Sequence, residues 1–218
     1  MTAALSAPTV SQAKAAVVVV AGLAVAGGAV GAAWAWLAPP IHGIVALTRT
    51  GDRVKAYLGA ESDNWFTSAF LMIGILGVLA VVAAILVWQW RSHRGPNTVL
   101  ALVVGSVAAA AAAVGAGALC AHLRWGSVDI AGAPVSEQHR VHYVTEAPAV
   151  FFGHSPLQIA ATLMFPAAVA AIVYLFAAVG FPRDDLGAWP PVEYPQLPTG
   201  RIGTAADVPP AAPAAPSP

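Results

Sequence analysis

Long apolar blocks separated by short polar stretches form the main pattern of this chain. The blocks cover about residues 13–38, 65–90, 98–123 and 156–181, with about 26 residues in each. A helix of that length rises ~1.5 Å per residue to ~39 Å, which exceeds a ~30 Å hydrocarbon core. Backbone polar groups in lipid must find partners within their own segment, so each block is predicted to be a helix. The expected fold class is an all-α membrane protein with four transmembrane helices.

Aromatic and proline residues mark the ends of these blocks. Pro39 and Pro40 end the first block. Tryptophan favours the headgroup level of a bilayer, and five of the seven tryptophans lie at block ends, namely Trp34, Trp36, Trp65, Trp88 and Trp90. The first block is about twice as long as the 7–15-residue apolar region of a secretory signal. We therefore expect an uncleaved first helix and a belt of interfacial tryptophans.

The predicted domain organisation follows from these boundaries. Residues 1–12 form an N-terminal tail, 13–190 a transmembrane domain, and 191–218 a tail rich in proline and alanine. Low-complexity sequence of this kind cannot bury a core, so disorder is predicted at least from Thr204 onward.

Two long loops are expected to form a small ordered cap on the outer side of the membrane. In the first loop, Gly51 and Asp52 separate two β-tolerant runs, a pattern compatible with a short β-hairpin that pairs with a strand near Val141. A short amphipathic helix on the membrane surface is the alternative for the same segment.

Composition narrows the possible functions. Hydrophobic residues make up 58% of the chain and charged residues 9%, with ten basic against ten acidic groups. This balance gives no electrostatic argument for binding nucleic acid. The single cysteine, Cys120, cannot form an intramolecular disulfide. No charged residue lies in the core of a block, which disfavours ion- or proton-coupled transport.

Orientation rests on the distribution of basic residues, which divides five against five between the two sides. The short loop from Arg91 to Asn97 is basic and contains no acidic residue. Since positive loops stay in the cytoplasm, this loop and both termini are predicted to be cytoplasmic.

Small residues recur at helical spacing in two blocks. Gly27 and Gly31 share one face of the first helix, and Ala109, Ala113 and Gly117 share one face of the third. Such faces let helix backbones approach closely, so these residues are candidate packing positions, within the chain or with another protein. In the fourth block, Pro166 removes one backbone hydrogen bond and is expected to bend the helix near Thr162.

Histidines of the second long loop are weak candidates for a metal site. His139 and His142 would share a helix face, with His154 further along. The β-tolerant sequence around His142 favours a strand instead, in which His139 and His142 point to opposite faces. Solvated loop histidines are the interpretation we favour, and no metal or cofactor is predicted.

Six landmarks occur in an order that is similar to a known family. They are Leu37-Ala-Pro-Pro-Ile-His-Gly43, Val87-Trp-Gln-Trp-Arg91 with His93-Arg94-Gly95, Val128-Asp-Ile-Ala-Gly-Ala-Pro134, His139-Arg-Val-His-Tyr143, Phe151-Phe-Gly-His154 and Arg183-Asp-Asp-Leu-Gly187. Over roughly residues 30 to 190 the chain resembles an actinobacterial, chiefly mycobacterial, four-helix membrane family catalogued as a domain of unknown function. The resemblance implies a plasma-membrane location and carries over no catalytic or binding residue.

The function expected from the sequence is non-enzymatic. Packable helices, charge-free spans and the lack of a catalytic motif favour an accessory or scaffolding subunit of a membrane assembly, with other membrane proteins or further copies of itself as partners. The first alternative is a protein that handles lipid or a small solute in a groove near Pro166. The second is an outer-face metalloenzyme that uses the three loop histidines.

Overall fold

The computed structural model describes residues 10–182 and residue 186. The predicted disordered segment from Thr204 and the domain boundary at 190 lie outside these residues, as does most of the predicted N-terminal tail.

Four long apolar helices account for most of the described chain, which confirms the helical part of the predicted fold class. They are α1 (Gln12–Leu37), α2 (Asn64–Gln89), α3 (Pro96–Trp125) and α4 (Pro156–Val179). All four are long and apolar enough to cross a membrane. That they do cross one stays a prediction.

Local chemistry fixes where several helices begin. Ser11 caps α1 by accepting a hydrogen bond from the backbone N–H of Lys14 at 3.3 Å. Ser155 and Gln158 form a reciprocal capping box at the start of α4, which satisfies two backbone donors that would otherwise lack partners. Pro96 and Pro156 occupy first-turn positions, where the missing N–H costs nothing.

The two long loops form a three-stranded antiparallel sheet. The strands are β1 (Ile41–Leu47), β2 (Arg53–Tyr57) and β3 (Val141–Glu146), in the order β2-β1-β3. The expected hairpin and its pairing with a strand near Val141 are confirmed, and the alternative of an amphipathic helix is wrong. In the turn, Gly51 has a φ of 89°, a conformation that glycine adopts without strain. The fold is therefore a helical bundle with a small sheet.

The bundle is held by a close pairing of α1 with α3, while α4 lies against both α2 and α3. Trp34 belongs to the core: its side chain is fully buried with Met72 and Leu76, and its indole N–H donates to the carbonyl of Ser68 at 2.8 Å. Trp34 thus faces the inside of the bundle, and its predicted level in a bilayer stays a prediction. Its neighbour Trp36 is 75% exposed, as expected of a side chain on the outside of the bundle.

Small residues make the contact between α1 and α3, which we call the glycine seam. A Cβ added to Gly27 would collide with the backbone carbonyl of Ala109, and one added to Gly31 would collide with that of Ala113. A Cβ at Gly117 would lie 3.0 Å from the Trp34 ring and 3.2 Å from the carbonyl oxygen of Gly31. The two helices can therefore pack this closely only because these glycines have no side chain.

Pro166 is buried where α4 meets the rest of the bundle, and the helix continues past it to Val179. The gap between Pro166, Leu76 and Ser106 has no room for a water molecule. Apolar and small side chains of the neighbouring helices fill this gap.

The glycine seam gives a direct test of the packing. Gly27→Ala should lower the stability by about 1–3 kcal/mol, since the new methyl group meets backbone atoms that cannot rotate away. Gly28→Ala is the matched control, because a Cβ at Gly28 meets nothing within 4 Å. Thermal unfolding of both variants in lipid nanodiscs, followed by tryptophan fluorescence, measures the difference; equal Tm values would contradict the seam.

Candidate interaction sites

At one end of the bundle, the side chain of Arg94 joins three elements. Its Nε donates to the carbonyl of Trp88 at 2.8 Å and its Nη1 to the carbonyl of Leu186 at 2.6 Å. The guanidinium carbon lies 4.2 Å from the centroid of the Trp88 ring and 5.4 Å from that of Phe181. Burial, and then the nearby charge of Arg91, lower the pKa of Arg94. Arg94 thus connects the end of α2 to the segment after α4.

The neighbouring residue, His93, is buried and fully engaged. One ring nitrogen lies 3.0 Å from the carbonyl oxygen of Val10, and the other lies 2.8 Å from the hydroxyl of Ser92. Thr98 donates its hydroxyl proton to the carbonyl of His93. Since both nitrogens are occupied, the ring fastens the start of α1 to the loop between α2 and α3 and is not available to a ligand.

The opposite end carries the sheet and its polar contacts. The backbone N–H of His42 donates to Glu61 at 3.1 Å, the His42 ring lies 3.2 Å from the same oxygen, and the Asn64 amide donates to it at 2.9 Å. These hydrogen bonds, led by the backbone contact, hold the pKa of Glu61 below its usual value. Lys55 and Glu146 form an ion pair across the sheet. The sheet is thereby attached to the start of α2.

One face of the sheet is covered and the other is not. On β1, Ile41 and Val45 are fully buried, so the alternate residues point the other way. The strand register places two apolar rows on this second face, which we call the uncovered face. One row is Ile44 with Ala56 and Tyr143, the second is Ala46 with Val54 and Val141, and the row beyond them pairs His42 with Thr145. Tyr143 is 72% exposed, Val54 48% and Val141 46%.

Aromatic side chains line a cleft of about 260 Å³ where α2 and α4 begin. Its walls include Trp65, Phe66, Phe151, Phe152 and His154. Phe152 also packs edge-on against Phe70 at 4.7 Å between ring centroids. The cleft is mainly hydrophobic and brings no pair of ionisable groups together.

The three histidines considered for a metal site lie in three different parts of the structure. His139 precedes β3 in an exposed turn, His142 is on β3 opposite Val45, and His154 lines the aromatic cleft. Within residues 10–182 and 186, no group of three or more histidine, cysteine, aspartate or glutamate side chains is placed to hold a metal ion. By contrast, the five packing residues come together in the glycine seam.

The sequence did not predict the contacts that Arg94, His93 and Trp34 make inside the bundle. Arg94 and His93 look like ordinary loop residues in a basic segment, and nothing in their spacing signals burial. Trp34 did carry a signal: it lies three residues after Gly31, one turn further along the same helix face.

A family model matches most of the chain. Residues 23–188 match the model of a family described as a protein of unknown function, DUF2567. The chain belongs to this family. The DUF2567 match confirms the resemblance inferred from the six landmarks.

Mycobacterial relatives cover most of the chain. Uncharacterized protein Rv1591 of Mycobacterium tuberculosis (strain ATCC 25618 / H37Rv) is 54% identical over 173 residues, which are 79% of this chain and 90% of the relative. Uncharacterized protein ML1222 of Mycobacterium leprae (strain TN) is 50% identical over 169 residues, 78% of this chain and 85% of the relative. No solved structure matches the DUF2567 chain.

The contacts of Arg94 predict a sensitivity to the shape of its side chain. Arg94→Lys keeps the charge but loses the planar stacking and one of the two hydrogen-bond directions, so the stability should fall by about 1.5–3 kcal/mol. Arg91→Lys, at an exposed neighbouring position, should change the stability by less than about 0.5 kcal/mol. The two Tm values in the same detergent give the comparison, and a similar loss in both variants would refute the assigned role.

Proposed function

We propose that this DUF2567 protein is a multi-pass plasma-membrane protein that acts without catalysis, as an accessory or scaffolding subunit. In this proposal α1 to α4 anchor the chain, and the uncovered face of the sheet binds an apolar surface of a partner protein. The observation that carries the proposal is the exposure of Tyr143 and Val141 on β3 and of Val54 on β2, all on that face.

An apolar sheet face in water is costly unless another surface covers it. Folded proteins that expose contiguous apolar patches commonly use them to bind other proteins. The charged residues Arg53 and Lys55 alternate with the uncovered positions of β2 and so belong to the opposite face. The three strands therefore place no lysine, arginine, aspartate or glutamate on the uncovered face. Glu146 pairs with the buried Ile41, so it belongs to the opposite face as well.

The glycine seam leaves the small-residue faces of the helices unavailable to a partner protein. The small-residue faces of α1 and α3 pack against each other within the chain, so they are not free to bind a partner helix. The sheet and the loops around it are then the surfaces that would bind a partner protein. This division gives the bundle an anchoring role and the sheet a binding role.

For the lipid-handling alternative, the gap at Pro166 itself is too small to hold a ligand. The metalloenzyme alternative has no support in the positions of His139, His142 and His154. Neither alternative has an observation in its favour that equals the uncovered face.

The proposed orientation places the sheet outside the cytoplasm and both termini inside. Basic residues divide equally between the two ends, so the orientation rests on the short loop from Arg91 to Asn97, which holds two arginines and no acidic residue.

Substitution on the uncovered face tests partner binding. Tyr143→Lys should abolish recovery of a stoichiometric partner in affinity purification from mild detergent, because docking would bury the new charge. The position is 72% exposed, so the fold should tolerate lysine. Mass spectrometry of the eluted complexes measures the ratio of partner to bait.

Ser127→Lys is the matched control, since it makes the same charge change at an exposed position after α3. It should retain the partner at the wild-type ratio, and both variants should keep the wild-type Tm. A wild-type protein that elutes without any stoichiometric partner, or a Tyr143→Lys variant that keeps one, would count against the proposal.

The orientation has a separate test in a Cys120→Ala background. A cysteine at Ser127 should react with a membrane-impermeant maleimide on intact cells, whereas one at Asn97 should react only after lysis. Both positions are exposed in the structure, so a difference in labelling reports on the membrane barrier. The reverse pattern would invert the topology, and equal labelling in intact cells would rule out a membrane between the two positions.

A further inference from the structure

An apolar groove of about 360 Å³ opens between α1 and α2 at the end of the bundle opposite the sheet. Val18, Gly22 and Ala26 line it from α1, and Leu86 and Trp90 from the α2 side. The groove exists because α1 makes its close contact with α3 and only a few contacts with α2. At Gly22 the wall recedes further, since a Cβ there would meet nothing within 4 Å.

The length of the groove matches one leaflet of a bilayer. Its lining runs from Leu79 to Trp90 along α2, which is ~16 Å at ~1.5 Å per residue and about half of a ~30 Å hydrocarbon core. The mouth lies at Trp90. The centroid of its ring is 4.4 Å from that of the buried His93 ring. A tryptophan at this place marks the level of the lipid headgroups.

Basic side chains flank this mouth. Arg91 follows Trp90 directly, and Lys14 lies one helical turn before Val18 on the same face of α1. Both side chains are exposed, and neither forms an ion pair with a residue that the structure describes. Among the described residues at this end, Lys14, Arg91 and Arg94 are basic and none is acidic.

From this arrangement we infer that the groove between α1 and α2 binds one acyl chain of an anionic phospholipid, with the phosphate at Arg91 and Lys14. The apolar lining takes the chain, and the two cations select the charge of the headgroup. The site is separate from the uncovered face, so it goes beyond the proposed scaffolding function. It does rest on the helices crossing a membrane, which the maleimide labelling examines independently.

Native mass spectrometry of the full chain, released from nanodiscs of equal parts phosphatidylglycerol and phosphatidylcholine with identical acyl chains, tests the site. The wild type should retain phosphatidylglycerol with roughly tenfold enrichment over phosphatidylcholine, the scale that one or two basic contacts to an anionic headgroup provide. Equal retention of the two lipids would overturn the inference.

Two pairs of variants separate the groove from the charges. Gly22→Leu fills the groove and should abolish the retained lipid, whereas Gly28→Leu, on the same helix with nothing within 4 Å of its Cβ, should leave it. Lys14→Gln with Arg91→Gln should remove the preference for phosphatidylglycerol. Arg49→Gln with Arg53→Gln, an equal charge change at the sheet end, should not.

Each comparison can fail on its own. Equal lipid retention by Gly22→Leu and Gly28→Leu would exclude the groove, and an unchanged preference in the Lys14/Arg91 variant would exclude the headgroup contacts. Wild-type Tm values in all four variants show that any change reflects lipid binding. Loss of partner binding by Tyr143→Lys would leave these results unaltered, so the two proposals stand or fall separately.

Discussion

Close backbone contact between α1 and α3 is the constraint on which the rest of the structure depends. In a bilayer the lipid chains are as apolar as leucine, so helices gain little from hiding apolar side chains and associate instead through van der Waals packing. Gly27 and Gly31 allow α1 to approach the backbone of α3 at Ala109 and Ala113. Because α1 is drawn to α3, its contact with α2 is looser, and the lateral groove follows from that asymmetry.

The two ends of the bundle are fastened by different chemistry. Toward the sheet, Trp34 and Ser68 join α1 to α2 inside the core, and Glu61 joins the sheet to the start of α2. At the other end, Arg94 and His93 use backbone carbonyls of Trp88, Leu186 and Val10 as partners. These polar groups hold the fold at both ends, so recognition is expected at the apolar surfaces and at the exposed side chains of Lys14 and Arg91.

Patterns that repeat along one helix or strand were predictable from the sequence, whereas contacts between distant segments were not. Apolar length identified the four helices, and the Gly51 turn between β-tolerant runs indicated the hairpin. The spacing of Gly27 and Gly31 revealed a packing face, but spacing alone does not say whether the partner helix is internal. Arg94 and Trp34 show the limit most clearly, since each binds a carbonyl whose position depends on how the whole bundle assembles.

The pairing of the first helix with the third also sets an order of events during synthesis. In a membrane-inserted chain, α1 is complete at Leu37, but the last turn of its partner is made only at Trp125, 88 residues later (125 minus 37). At ~5–20 residues per second, this delay is roughly 4–18 s. For that interval the glycine stripe of α1 lies open to lipid beside a helix that packs against it only loosely. If the chain is inserted as proposed, the nascent first helix lies in the bilayer, exposed to any other small-residue helix nearby, before its own chain can cover it.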